Sequence, residues 1–182
     1  MTDDIIKDEN KISEGSRLFG QIESELKISI ESLQQEGLHD FFNHLFKEYA
    51  VSNLGSALSS PINSDQVTTQ LTGAWVNSQY ENEYNPIHWH DGCTLSATLY
   101  LKIPKYEKRN IPGKTDTDGS IVFITDNPSS PMLSFEKPTA LFSPQVGDMF
   151  IWPSRLLHGV YPFQGKGERR SVAINALHRL SL

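Results

Sequence analysis

The stretch from Asn85 to Leu101, NPIHWHDGCTLSATLYL, decides how the rest of the chain is read. His88 and His90 stand one residue apart and lead into an alternating run from Thr94 to Leu101. On an extended strand residues i and i+2 share a side, so both imidazoles can aim at one point while Trp89 faces away. Imidazole is the commonest side-chain ligand of divalent transition metals. Two of them on one face, just ahead of a buried-type strand, make part of a metal site. A pair of surface histidines beside a turn is the competing reading, and a bare H-x-H does not separate the two.

Working outward, alternation predicts further strands at Val67–Ser78, Thr94–Ile103, Ser120–Thr125 (ending at Asp126-Asn127-Pro128), Lys137–Ser143, Met149–Trp152, Gly159–Tyr161 and Arg169–His178. Between them, Pro104–Gly119 is a long charged loop, whose span from Lys105 to Asp118 reads either as a lid overhanging the site or as a variable surface excursion. Upstream the period is helical. Leu18, Ile22, Leu26, Ile30 and Leu33 predict a helix over Ser16–Gln35 that Gly37 stops. Asp40 reads as the N-cap of a second helix to about Ala50, with Phe42, Leu45, Phe46 and Tyr49 apolar. Ser52–Ser64 reads as loop and residues 1–14 as a frayed polar end; His39 and His44 read as a cap neighbour and a helix-surface residue. No crossover helices separate the strands, which argues against a parallel α/β sheet. The expectation is a mainly β sandwich or jelly-roll barrel over residues 65–182, with residues 1–64 a helical region packed on it.

The 182 residues are 37% hydrophobic and 21% charged, as in one soluble globular domain. A net charge of -6 argues against nucleic acid or an anionic membrane as partner. The acidic start, MTDDIIKDEN, is unlike a signal peptide, and with Cys93 alone there is no disulfide or cysteine-rich zinc site. A cytoplasmic address is expected, and any metal must be held by histidine and carboxylate. The helices could equally serve a homodimer contact.

His158, in GDMFIWPSRLLHGVY, is the third candidate ligand. The last strand then opens with Glu168-Arg169-Arg170-Ser171; Arg169, Ser171 and Ala173 share one face, and Arg170, Val172 and Ile174 the other. An arginine and a hydroxyl on one barrel face can hold a carboxylate. A solvated charge pair at a strand start is the plainer alternative.

These pieces, HWHDGCTLSATLYLKIP, GSIVFITDNP, VGDMFIWPSRLLHGVYPF and ERRSVAIN, resemble the Fe(II)- and 2-oxoglutarate-dependent oxygenases, and more narrowly a bacterial and phage subgroup with an H-x-H motif. The resemblance runs from about Trp75 to Leu177. It implies a double-stranded β-helix, a jelly roll of cupin type. It also implies an oxidoreductase using Fe(II), 2-oxoglutarate and O2, a hydroxylase of an unidentified small-molecule or protein substrate. His158 would bind iron and Arg169 the distal carboxylate of 2-oxoglutarate with Ser171 assisting; Arg170 is the second choice, because a one-residue slip exchanges the faces. Tyr100 and Thr98 could line the cosubstrate pocket. Asn77, Trp89 and Asn175 are candidates for substrate contact, and Trp152, Phe150 and Tyr161 for the pocket wall.

The broad superfamily carries a carboxylate two residues after its first histidine, whereas here that position is His90, and Gly92 follows two beyond. Three ligand sets stay open: His88, His90 and His158; His90 and His158 with Gly92 leaving a vacancy; or a bulge that brings Asp91 round. Two functional alternatives also stand, a three-histidine cupin working without 2-oxoglutarate and a non-catalytic structural jelly roll.

Overall fold

The computed structural model describes residues 1–107, 111–125 and 139–181. In chain order its elements are α1 (Thr2–Lys7), β1 (Ser24–Ile28), α2 (Ile30–Gln35), α3 (Leu38–Leu58), β2 (Val67–Gln79), β3 (Asn85–His88), β4 (Leu95–Lys102), β5 (Ile121–Ile124), β6 (Thr139–Phe142), β7 (Met149–Pro153), β8 (His158–Val160) and β9 (Arg169–Leu180). The strands form two antiparallel sheets, β1-β2-β9-β4-β7 and β3-β8-β5-β6. This is the jelly-roll arrangement expected.

The larger sheet has two distinct faces. Leu26, Ile28, Val76, Ala97, Val172 and Ile174 pack in one apolar cluster with Leu33, Phe42 and Phe46 of α2 and α3. The alternate residues of the same strands, including Asn77, Thr98, Tyr100, Arg169, Ser171 and Ala173, line a cavity. A bulge in β2 between Leu71 and Gly73 keeps this division continuous. Strict alternation would put Leu71 on the side of Gly73 and Trp75; the extra residue lets Leu71 stay with Ala74 and Val76 against the helices.

Three expectations about the N-terminal region are corrected. The predicted helix over Ser16–Gln35 is instead a short 3-10 turn at Gly15–Arg17, strand β1 and the six-residue helix α2. Leu18, Ile22, Leu26 and Ile30 recur every four residues, a spacing that keeps one face on a helix and on a strand alike. Pairing with β2 decided for strand, and Ser29 then caps α2 by accepting from Ser32 N at 3.0 Å. The second helix begins at Leu38, places Asp40 in its first turn, and continues to Leu58 through most of the supposed loop. There Asn53 and Ser56 donate to carbonyls four residues back, at 2.8 and 3.0 Å, so these polar side chains need not break the helix. The chain's first residues are docked: Met1, Ile5 and Ile6 pack on the apolar cluster, and Asp3 pairs with Arg170.

The predicted β-strands recur with small changes of bounds, save that Lys137–Ser143 is described only from Thr139 and forms β6 there. The Asp126-Asn127-Pro128 turn lies outside the described residues. Among the described residues no helix is long and apolar enough to cross a membrane.

Candidate metal centre and its cavity

His88 closes β3 and faces His158, which opens β8, directly across the strand pair. His90 lies just past β3, where its backbone N donates to Ser154 O at 2.9 Å. The outcome is one cluster: ligand atoms of His88, His90 and His158 all lie within 4.8 Å of one another. Trp89 between the first two lies at the edge of the adjoining cavity and is about half exposed.

Each ring is oriented by a second contact. His88 Nδ1 donates to Pro86 O at 2.7 Å and His158 Nδ1 to Leu156 O at 2.8 Å. A carbonyl can only accept, so both tautomers are set and both Nε2 atoms are left as lone pairs. The side-chain amide of Asn175 stands 3.1 Å from His90 Nδ1 and 2.8 Å from Ser96 Oγ, and Ser96 reaches Ser154 Oγ at 3.1 Å. As placed, Ser96 Oγ donates to Asn175 Oδ1 and Asn175 Nδ2 to His90 Nδ1; with the amide turned over, Oδ1 accepts from His90 Nδ1–H and His90 Nε2 is left bare for a metal as well. Trp75 stacks on His90 at 5.7 Å and Trp152 meets His158 edge-on at 4.7 Å.

Burial, then the neighbouring imidazoles, lowers the pKa of His90 to about 3 and that of His158 to about 4; burial also lowers that of His88. All three are neutral at pH 7, the state a metal requires. His90 Nε2 and His158 Nε2 are 3.2 Å apart, the span of two nitrogens sharing one ion at bonds of about 2.1 Å. The residues present therefore fit a bound divalent metal. Asp91 does not join them: its carboxylate is 76% exposed and pairs with Arg155 at 3.2 Å. Gly92, in the left-handed region at φ +71, turns the chain into β4.

Below the histidines the cavity, of about 950 Å³, has a floor of polar groups from the larger sheet. Arg169 is 2% exposed, donates from Nη1 to Gln79 Oε1 at 2.8 Å, and sits 4.7 Å over the Tyr100 ring. Its Nε and Nη2, with the hydroxyls of Tyr100 and Tyr106, are buried without an acceptor among the described residues. Ser171 lies directly opposite Tyr100, and Thr98 opposite Ala173. Arg170 is excluded as the carboxylate ligand, because it faces away and is held by Glu168 and Asp3. Asn77 is on the floor, Asn175 is engaged with His90, and Trp152 is in the wall; Phe150 and Tyr161 are not in the cavity lining.

None of the described residues of the loop expected to overhang the mouth, 105–107 and 111–118, lines the cavity. Glu107 N donates to Gln164 O, Gln164 N to Asp118, and Tyr106 packs on Phe163. The rim over the cavity is instead formed by Glu14, Arg17, Leu18, Phe19 and Ile22. Gln79, Tyr106 and Glu25 were missed from sequence: the first two touch or adjoin Arg169 only through tertiary contacts, and Glu25 sat in the segment read as helix.

An antiparallel jelly roll with three convergent histidines over a buried arginine defines a metallo-oxygenase type of cavity. A family described as "Putative 2OG-Fe(II) oxygenase" matches residues 73–175, more than half of the chain. The chain belongs to this 2OG-Fe(II) oxygenase family. Among solved structures it is similar to a Pseudomonas putida prolyl-4-hydroxylase, at 12% identity over 96% of this chain and 79% of that one, TM-score 0.50. It is also similar to a 2OG-Fe(II) oxygenase family oxidoreductase from Burkholderia pseudomallei, at 14% identity over 78% of this chain, TM-score 0.46. The chain spans 57% of that protein's length. A third is HygX from Streptomyces hygroscopicus with nickel and 2-oxoglutarate bound, at 13% identity over 63% of this chain and 57% of that one, TM-score 0.41. No curated protein matches the chain in sequence.

Proposed function

We propose that this protein is an Fe(II)- and 2-oxoglutarate-dependent hydroxylase. The observation that carries the reading is a pair of complementary sites in one cavity: three neutral imidazoles that converge, and a buried guanidinium with two free N–H groups. In this reading His88, His90 and His158 hold the metal, and the rest of its coordination sphere is left for cosubstrate and O2. Arg169 receives the distal carboxylate of 2-oxoglutarate through Nε and Nη2, with Tyr100 Oη and Ser171 beside it. Bound Fe(II) supplies the chemistry that couples oxidative decarboxylation of 2-oxoglutarate to oxidation of a substrate C–H bond. The chain's own contribution is orientation. Carbonyl-anchored tautomers fix two imidazoles, the Asn175 amide fixes the third, and Trp75 and Trp152 keep water from their faces.

Anaerobic titration with Fe(II) and then 2-oxoglutarate tests this. A weak visible charge-transfer band should appear, and should be lost in His158→Ala and in Arg169→Met. Iron binding without the band would favour a three-histidine cupin that works without 2-oxoglutarate. Failure to bind iron would leave a structural jelly roll.

A further inference from the structure

One row of the cavity floor runs Glu25, Asn77, Ser171, Tyr100, each directly opposite the next across β1, β2, β9 and β4. At the Tyr100 end, hydrogen-bond donors gather without acceptors. At the Glu25 end the imbalance is reversed. Glu25 is 1% exposed, and its Oε2 takes no hydrogen bond among the described residues; nor does the buried Oδ1 of Asn77, its cross-strand neighbour. Glu25 Oε1 and Asn85 Oδ1 both lie over Gly20, where a Cβ would stand 2.5 Å from the first and 2.8 Å from the second. Only glycine leaves room for the carboxyl at that point. Removal from water, with Glu83 nearby, raises the Glu25 carboxyl to about 7. Lys27 is exposed, two residues along β1, and is not paired with it among the described residues.

Buried acceptors left unmatched are costly and rare in folded proteins. A carboxylate out of water is compensated best by an opposite charge carrying several N–H donors. We propose that the corner formed by Glu25, Asn77 and Asn85 binds a cationic nitrogen of the prime substrate, a primary ammonium or a guanidinium. The proposal rests on the oxygenase reading for what lies beside it: cosubstrate at Arg169, and the substrate's cationic end at Glu25 with its reacting carbon toward the histidines. The cavity is at the upper end of the size range for small-molecule sites, room enough for both.

The test uses protein loaded with Zn(II) and 2-oxoglutarate, with n-butylammonium and n-butylguanidinium as probes against n-butanol as the neutral isostere. Binding is read by calorimetry and by quenching of Trp75, Trp89 and Trp152, which line the cavity. At least one cation should bind roughly tenfold or more tightly than the alcohol. Glu25→Gln should abolish that preference while still binding the alcohol and 2-oxoglutarate. Equal binding of cations and alcohol by the wild type would overturn the proposal, as would no cation binding up to about 10 mM or a preference that persists in Glu25→Gln. The wild-type comparison stands even if that variant does not fold. A cation preference in a protein that fails to bind 2-oxoglutarate would sink the cosubstrate reading and leave the cationic corner intact.

Discussion

Replacing Glu25 by glutamine should stabilise the metal-free protein at neutral pH and above, and have a much smaller effect in acid. The carboxyl ionises near 4.5 in an unfolded chain but at about 7 in the folded one, because burial and then Glu83 disfavour its charge. Below 4.5 it is protonated in both states and exacts no penalty. Between 4.5 and 7 the unfolded chain releases the proton while the folded one keeps it, so stability falls by about 1.4 kcal/mol per pH unit. Above 7 the loss levels off at no more than about 3 kcal/mol. Glutamine has the same shape and no charge, so its own unmatched amide adds only a pH-independent offset. For a chain of this size each kcal/mol is worth roughly 2–4 °C. Thermal melts in chelator should therefore show the variant's advantage growing by roughly 6–12 °C between pH 4.5 and pH 8. A difference that stays flat across that range would refute the reasoning, since it would mean that the carboxyl is solvated in the folded protein.

Other outcomes follow from the same geometry. Arg169→Met should weaken 2-oxoglutarate binding by about 2–5 kcal/mol, which calorimetry on Zn(II)-loaded protein would measure. Arg170→Met should leave that affinity nearly unchanged yet lower the melting temperature, since Arg170 ties β9 to Glu168 and Asp3. Zn(II) at about a hundred times its Kd should stabilise the wild type by about 2.7 kcal/mol, an effect His158→Ala should remove. In the absence of metal the depressed histidine pKa values act with the opposite sign to Glu25. As pH falls below about 6.5, the unfolded chain takes up protons that folded His158 refuses until about 4 and His90 until about 3, so urea melts of the Glu25→Gln variant should show stability lost from pH 7 to pH 5. Asn175→Ala should lower metal affinity by roughly tenfold or more; in the Zn(II)-loaded wild type, nitrogen NMR should find the proton of His90 on Nδ1.

Much of the architecture was legible because strand alternation is a property of the covalent chain. Thr94–Ile103 and Arg169–His178 announced themselves by period two, and the same rule separated Arg169 and Ser171 from Arg170 correctly. The histidine pair, with His158 opening a later strand, marked the centre. What failed failed for equally definite reasons. Every-fourth spacing from Leu18 to Ile30 satisfies helix and strand together, so β1, and Glu25 with it, could be recognised only once β2 was present to pair with. Asp91 was a reasonable ligand until the turn at Gly92 and the pull of Arg155 set it outside.

By itself, then, the sequence determined the strand periods, the faces of each strand and the chemical types available to the site, since those depend on neighbours one to four residues away. The tertiary structure alone decided that His88, His90 and His158 meet, and that the bulge at Leu71/Gly73 keeps one face for the helices. It also decided that donors without acceptors collect around Arg169 and acceptors without donors around Glu25. Hydrogen-bond satisfaction inside a cavity depends on strands far apart in the chain, and local periodicity carries no record of which of them end up side by side.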